Sequence, residues 1–198
     1  MSFLSRVKSF LKINNDKNAT FYKMDQTAFS EIIMKIANDI SHSDKIVTEK
    51  AELILNDPEQ YILDTYREYQ PIDFEIAFKG DIQDKQWWLI HDVLTQQDYI
   101  HYLDWKDDAG IFIPEFDTLK GREIIPTVIK EKDFNAEDDL TAIFTYVNGI
   151  LDKYDYVLCV YDIEADGYPM FLTKKSDLEV LSDLAEKIGH RIGRAEIF

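Results

Sequence analysis

The spacing of hydrophobic positions changes along the chain, and each change marks an element. Phe29, Ile32, Ile33, Ile36, Ala37 and Ile40 recur at helical spacing behind Thr27, a capping residue type, and predict a helix over 28–41. Val47, Ala51, Ile54 and Leu55 predict a second helix. Asp57-Pro58-Glu59 supplies a cap, a first-turn proline and a first-turn acid for a third, running to about Tyr69 before Pro71 stops it. From Ile72 the period becomes two. Ile72, Phe74, Ile76 and Phe78 alternate with Asp73, Glu75, Ala77 and Lys79, the pattern of a half-exposed strand. Asp84 to Leu94 reads as helix, with Trp87, Trp88, His91 and Leu94 toward its buried side, and Tyr99 to Trp105 reads as strand. A loop follows at 106–110. Pro114 and Pro126 interrupt 111–133, which carries short apolar runs and no clear period.

The last third is the most sharply specified. Asn135 is placed to cap a helix carrying Leu140, Ile143, Phe144, Val147 and Leu151. Tyr156 to Tyr161 is apolar on both faces, which suits a central strand, and Cys159 within it reads as a small buried hydrophobe. The turn 162–167 ends in Asp-Gly, and Tyr168 to Leu172 returns as the partner strand. Ser176-Asp177-Leu178-Glu179 has the form of a capping box. Leu178, Leu181, Leu184, Ala185 and Ile188 form the apolar stripe of that helix, and Gly189 ends it. A helix–hairpin–helix unit thus spans 136–192. The fold class is α+β: a helical N-terminal third, 1–70, then a small, mostly antiparallel sheet packed with helices, 71–198, in a single domain.

Charge adds a second layer. The formal net charge is −16, from 38 acidic and 22 basic residues. The distribution is uneven. Residues 1–23 hold Arg6, Lys8, Lys12, Lys17 and Lys23 against Asp16 alone, a net of +4, so the remaining 175 residues carry −20. An acidic body repels phosphate backbones and disfavours nucleic acid; it attracts a basic protein partner, and it also keeps a protein soluble with no partner at all. Phe3, Leu4, Val7, Phe10 and Leu11 lie on one face of a helix with Arg6, Lys8 and Lys12 beside them. Such a segment, residues 1–13, has three uses: docking on the acidic body, peripheral contact with an anionic membrane, or dimerisation. No apolar run reaches the roughly 20 residues of a membrane-spanning helix, and the first residues lack the order of a secretory signal. One cysteine permits no intramolecular disulfide, so the expected compartment is the cytoplasm.

Asp104-Trp105-Lys106-Asp107-Asp108, the run Asp162-Ile163-Glu164-Ala165-Asp166-Gly167-Tyr168-Pro169-Met170-Phe171-Leu172, and the Leu/Ala-rich helix ending near Gly189 together resemble a widespread bacterial family of uncharacterised proteins. The resemblance covers roughly the second half of the chain. It implies a recurring α+β domain of unknown function and supplies no catalytic residues.

Motifs for phosphate loops, nucleophile elbows, zinc helices and Cys-x-x-Cys sites are absent from the sequence. What remains is carboxylate. Asp104, Asp107 and Asp108 form one cluster, with Glu115 and Asp117 beyond it; Asp162, Glu164 and Asp166 form another in the hairpin turn. Carboxylates are the hard oxygen ligands that Mg²⁺ or Ca²⁺ takes, and the two clusters facing each other would make a cation site. The second is no EF-hand, since Thr173 stands where a bidentate Glu is needed. Acidic residues in turns are equally what solvated loops contain. His91 beside Asp92, and His101 shortly before Asp104, suggest acid–base pairs, though His91 on an apolar face reads better as a hydrogen-bonded core residue. Two functions follow as expectations: a non-catalytic acidic protein binding a basic partner, or a divalent-metal-dependent hydrolase using the loops 104–108 and 162–167.

Overall fold

A computed structural model describes residues 24–65, 81–135 and 138–198. The expectations for residues 1–13, for the strand at 72–78 and for the third helix beyond residue 65 lie outside the described residues. Seven α-helices and four strands are described: α1 (Gln26–Ser41), α2 (Lys45–Asn56), α3 (Pro58–Thr65), α4 (Ile82–Gln96), β1 (His101–Asp104), α5 (Ala109–Thr118), α6 (Leu140–Leu151), β2 (Tyr156–Tyr161), β3 (Gly167–Lys174), α7 (Lys175–Lys187) and β4 (Ile192–Arg194). The strands form one antiparallel sheet in the order β1-β3-β2-β4. The protein is therefore α+β, as the periodicities predict.

Strand β2 sets the layering. All six of its residues are buried, and successive side chains point to opposite faces. Val157, Cys159 and Tyr161 join a core with α1–α4 and α7, through Phe29, Ile33, Ile54, Trp88, Leu89 and Leu181 among others. Leu158 and Val160 join a second core with α5 and α6, through Phe112, Phe116, Ile143, Phe144 and Val147. Helices thus cover both faces. Because α4 shares the first core with α1–α3, residue 70 is not a boundary in the packing. Burial leaves Cys159 fully inaccessible and pushes its thiol pKa up, so it is an inert core group.

Caps depart from the sequence reading in a consistent way. Asp25, not Thr27, caps α1, its Oδ2 accepting from the amides of Thr27 (3.1 Å) and Ala28 (3.3 Å). Asp139, not Asn135, caps α6, accepting from Ala142 N at 2.8 Å. The Ser176 capping box does not form. Strand β3 runs directly into α7, which starts at Lys175, so Ser176 is already inside the first turn and its hydroxyl donates to Asp177 Oδ1. Gly189 does end that helix, at φ +81°. The expected loop 106–110 is cut short by α5, which starts at Ala109, is capped by Asp108 and runs into the unassigned stretch 111–133, with Ala109, Phe112 and Phe116 buried and Pro114 exposed. Arg122 then organises the chain beyond it. Its guanidinium donates to Asp117, to Ile125 O and to Thr127 O, and lies 4.9 Å from the Phe116 ring centre.

Two polar devices hold the layers together. Strand β4 is only three residues long and pairs with Cys159, Val160 and Tyr161. At Leu158 the amide of Asn148 serves instead: Oδ1 accepts from Leu158 N at 2.6 Å and Nδ2 donates to Leu158 O at 3.1 Å. A buried backbone pair is thereby satisfied by a side chain on α6. On the other face Trp87 stacks between Tyr161 (3.9 Å) and His190 (4.3 Å). The Tyr161 hydroxyl donates to Trp87 O and the Trp87 indole donates to Asp162 O, tying α4 to β2. Burial lowers the His190 pKa to about 4, so the imidazole is neutral near pH 7.

Asn148→Ala should cost about 2–4 kcal/mol, because it strands both Leu158 backbone groups in the core; urea unfolding of variant and parent measures it. His190 gives a second expectation. The unfolded chain takes up a proton near pH 6.5 and the folded chain only near 4, so stability falls as pH drops through that window. The loss amounts to about 3 kcal/mol. Between pH 7 and 4 the parent should therefore lose about that much more stability than His190→Phe.

Candidate functional site at the sheet edge

Strand β1 lies at the edge of the sheet, paired only with β3 among the described strands. In that pairing Asp104 stands opposite Gly167. The antiparallel register therefore brings the end of β1 beside the turn that precedes β3, and the two acidic loops become neighbours. Close approach is built in at Gly167, where a Cβ would fall 2.3 Å from Leu103 O and 2.4 Å from the Tyr102 hydroxyl. That hydroxyl donates to Asp166 O at 2.7 Å and clasps the two loops.

Proximity of the loops does not group their carboxylates. Asp107 Oδ2 accepts from Asp104 N at 2.8 Å, and Asp104 Oδ1 accepts from Lys106 N at 3.0 Å. Asp108 Oδ1 caps α5 through Gly110 N and Ile111 N. Across the pair, Asp162 Oδ1 accepts from Glu164 N at 2.8 Å. Glu164 takes a left-handed backbone at φ 54°, and Asp166 is exposed. Four of the six carboxylates thus shape the backbone of their own turns, the ordinary work of aspartate in turns and caps. Among the described residues no three of His, Cys, Asp and Glu are gathered as ligands for a metal ion.

A different constellation does form. Beside β1 a cleft of about 350 Å³ is lined by Thr95, Ile100, His101, Tyr102, Asp104, Asp107 and Glu115. His101 sits on β1 and Glu115 on α5; Nδ1 of the imidazole meets Glu115 Oε2 at 2.5 Å. The other ring nitrogen is 3.9 Å from Asp98 Oδ1 and has no hydrogen-bond partner among the described residues. His101 is therefore held between two carboxylates, neither of which is Asp104, the neighbour that proximity in sequence suggested. Glu115 stands 14 positions away, and only the return of α5 against β1 brings it near. Trp105, directly after β1, is 57% exposed, with Lys106 Nζ 4.9 Å from its ring centre. His91, by contrast, is a fully buried core residue, with Thr95 Oγ1 3.5 Å from its Nε2. Arg191 lies over the Phe198 ring and Arg194 pairs with Glu196, so each has a specific partner beyond the helix end.

Fold and cleft together define an α+β domain whose short antiparallel sheet is covered by helices on both faces and whose open edge carries an acidic cleft. The chain belongs to a domain-of-unknown-function family, DUF6630, which matches residues 32–196. The match is wider than the second half of the chain suggested by its motifs. It takes in the helical first third from Ile32 onward, where α1–α3 share with α4 the core on one face of the sheet. No curated protein and no solved structure matches the chain. Among the described residues no helix is long and apolar enough to cross a membrane.

Gly167→Ala should force β1 away from β3, because the new methyl meets backbone on a neighbouring strand. A loss of about 1–3 kcal/mol is expected, with faster amide exchange at Leu103 and Asp104 than in the parent.

Proposed function

We propose that the protein is a non-catalytic binding protein whose acidic edge engages a basic protein partner. One observation carries the reading: the cleft beside β1 places Asp104, Asp107 and Glu115 around a single half-open space with His101 as the only basic group among the described residues that line it. The cleft is of a size to admit one long side chain. A lysine or arginine entering it meets carboxylates whose second oxygens can still accept, while exposed Trp105, directly after Asp104, adds apolar contact surface. The net charge of −20 on residues 24–198 supports the same reading at longer range, since it steers a basic surface toward the protein.

The metal-dependent hydrolase draws less support from the geometry, since the aspartates it needs are bonded to their own turns. The binding reading is tested by affinity capture and titration with the parent and with the triple variant Asp104→Asn, Asp107→Asn, Glu115→Gln. Asn and Gln keep an acceptor for the turn amides while removing charge. The parent should retain a basic protein at low salt and release it at high salt, and the variant should lose about tenfold or more in affinity. Retention that ignores both salt and the variant would defeat the reading.

A further inference from the structure

A second depression lies away from the sheet, between α1 and α2. It has a volume of about 590 Å³ and is lined by Glu31, Met34, Lys35, Asp39, Glu52 and Leu55 with neighbouring polar residues. Met34 and Leu55 give it a half-buried apolar floor. The charges around that floor are unbalanced. Lys35 is taken by Asp39 at 2.8 Å, the i,i+4 pair on α1. Among the described residues neither Glu31 nor Glu52 has an ion-pair partner, so the groove presents two carboxylates over apolar surface.

We propose that this groove is the docking site of the chain's own N-terminal segment, residues 3–12. Its complement is written in that segment: Phe3, Leu4, Val7, Phe10 and Leu11 as apolar positions, and Arg6, Lys8 and Lys12 as cations with no acidic residue among them. Tether length permits it. Residue 12 is 12 positions from Met24, and that stretch reaches up to about 40 Å when extended, while the groove begins at Ser30, early in α1. The family match starts at Ile32, so the basic segment lies outside the matched residues and is opposite in sign to them. At an effective concentration set by a short tether, a contact of a few apolar groups and two ion pairs is enough to be occupied.

Limited trypsin digestion of the full chain tests this, read as the rate of cleavage after Arg6, Lys8 and Lys12. Docking predicts slow cleavage that is independent of protein concentration and accelerates about tenfold in high salt. The pair Glu31→Lys with Glu52→Lys should accelerate it by a similar factor. Reversing Glu123 and Glu131, on the opposite layer, should leave the rate unchanged. If reversal unfolds the chain, Glu31→Gln with Glu52→Gln keeps the test. A rate indifferent to the groove variants overturns the proposal, and so does equal acceleration by the remote pair, which would mean diffuse attraction. Protection that fades on dilution places the segment on a second copy. Protection that appears only with phosphatidylserine vesicles assigns it to a membrane surface. Either result rejects the intramolecular site.

Discussion

The constraint on which the rest of the structure depends is the burial of β2 on both faces. Six consecutive residues, Tyr156 to Tyr161, have no exposed side. Each large apolar side chain removed from water contributes about 1.5–3 kcal/mol, but only if something covers it. The chain meets the demand with α1–α4 and α7 over Val157, Cys159 and Tyr161, and α5 and α6 over Leu158 and Val160. A strand so placed cannot reach water with its backbone either. β3 satisfies one edge and three residues of β4 satisfy part of the other. Asn148 closes the remaining gap from α6, and Glu196 accepts from the same amide at 2.5 Å while bonding Arg194. The C-terminal turn is therefore fastened to the centre of the sheet.

That centre leaves β1 as an edge among the described strands. Edge strands expose unpaired backbone groups, and proteins manage them with short length, charge and covering loops. β1 has all three: four residues, Asp104 at its end, and Asp107 folded back so that its carboxylate accepts the Asp104 amide. The cleft beside it follows from this arrangement. α5 returns across the edge just far enough for Glu115 to reach His101, and the space between becomes a pocket walled by the groups that blunt the strand.

How much of this was legible in the sequence depends on the range of the physics. Tyr156–Tyr161 as a central strand, the Asp-Gly turn and the helical stripe ending at Gly189 are local patterns, and all three appear where the sequence places them. Helix starts were misplaced at Thr27, Asn135 and Ser176, where several capping residues compete within a few positions and packing chooses among them. The α5 region was hidden by Pro114, which faces solvent and leaves the buried spacing of Ala109, Phe112 and Phe116 intact. His101 with Glu115, and Asn148 with Leu158, are contacts across the fold with no sequence period at all. The one hint for the latter is an amide set in the apolar stripe of α6.

The acidity of the chain changes meaning once its carboxylates are traced. Asp25, Asp44, Asp57, Asp81, Asp108 and Asp139 accept first-turn amides at the starts of α1 to α6, one for each helix. Asp104, Asp107, Asp133, Asp138 and Asp162 bond amides in turns. All eleven are aspartate, whose short side chain reaches an amide two or three residues away. Their charge is also favoured at a helix start by the backbone dipoles. A large share of the negative charge is therefore an architectural consequence of beginning helices and turns on Asp, and needs no partner to explain it. The glutamates differ. Glu31, Glu52 and Glu115 stand in the two depressions, on longer side chains that make no cap. Charge that recognises another surface is to be sought in them, and in whatever oxygens of Asp104 and Asp107 the turns leave over.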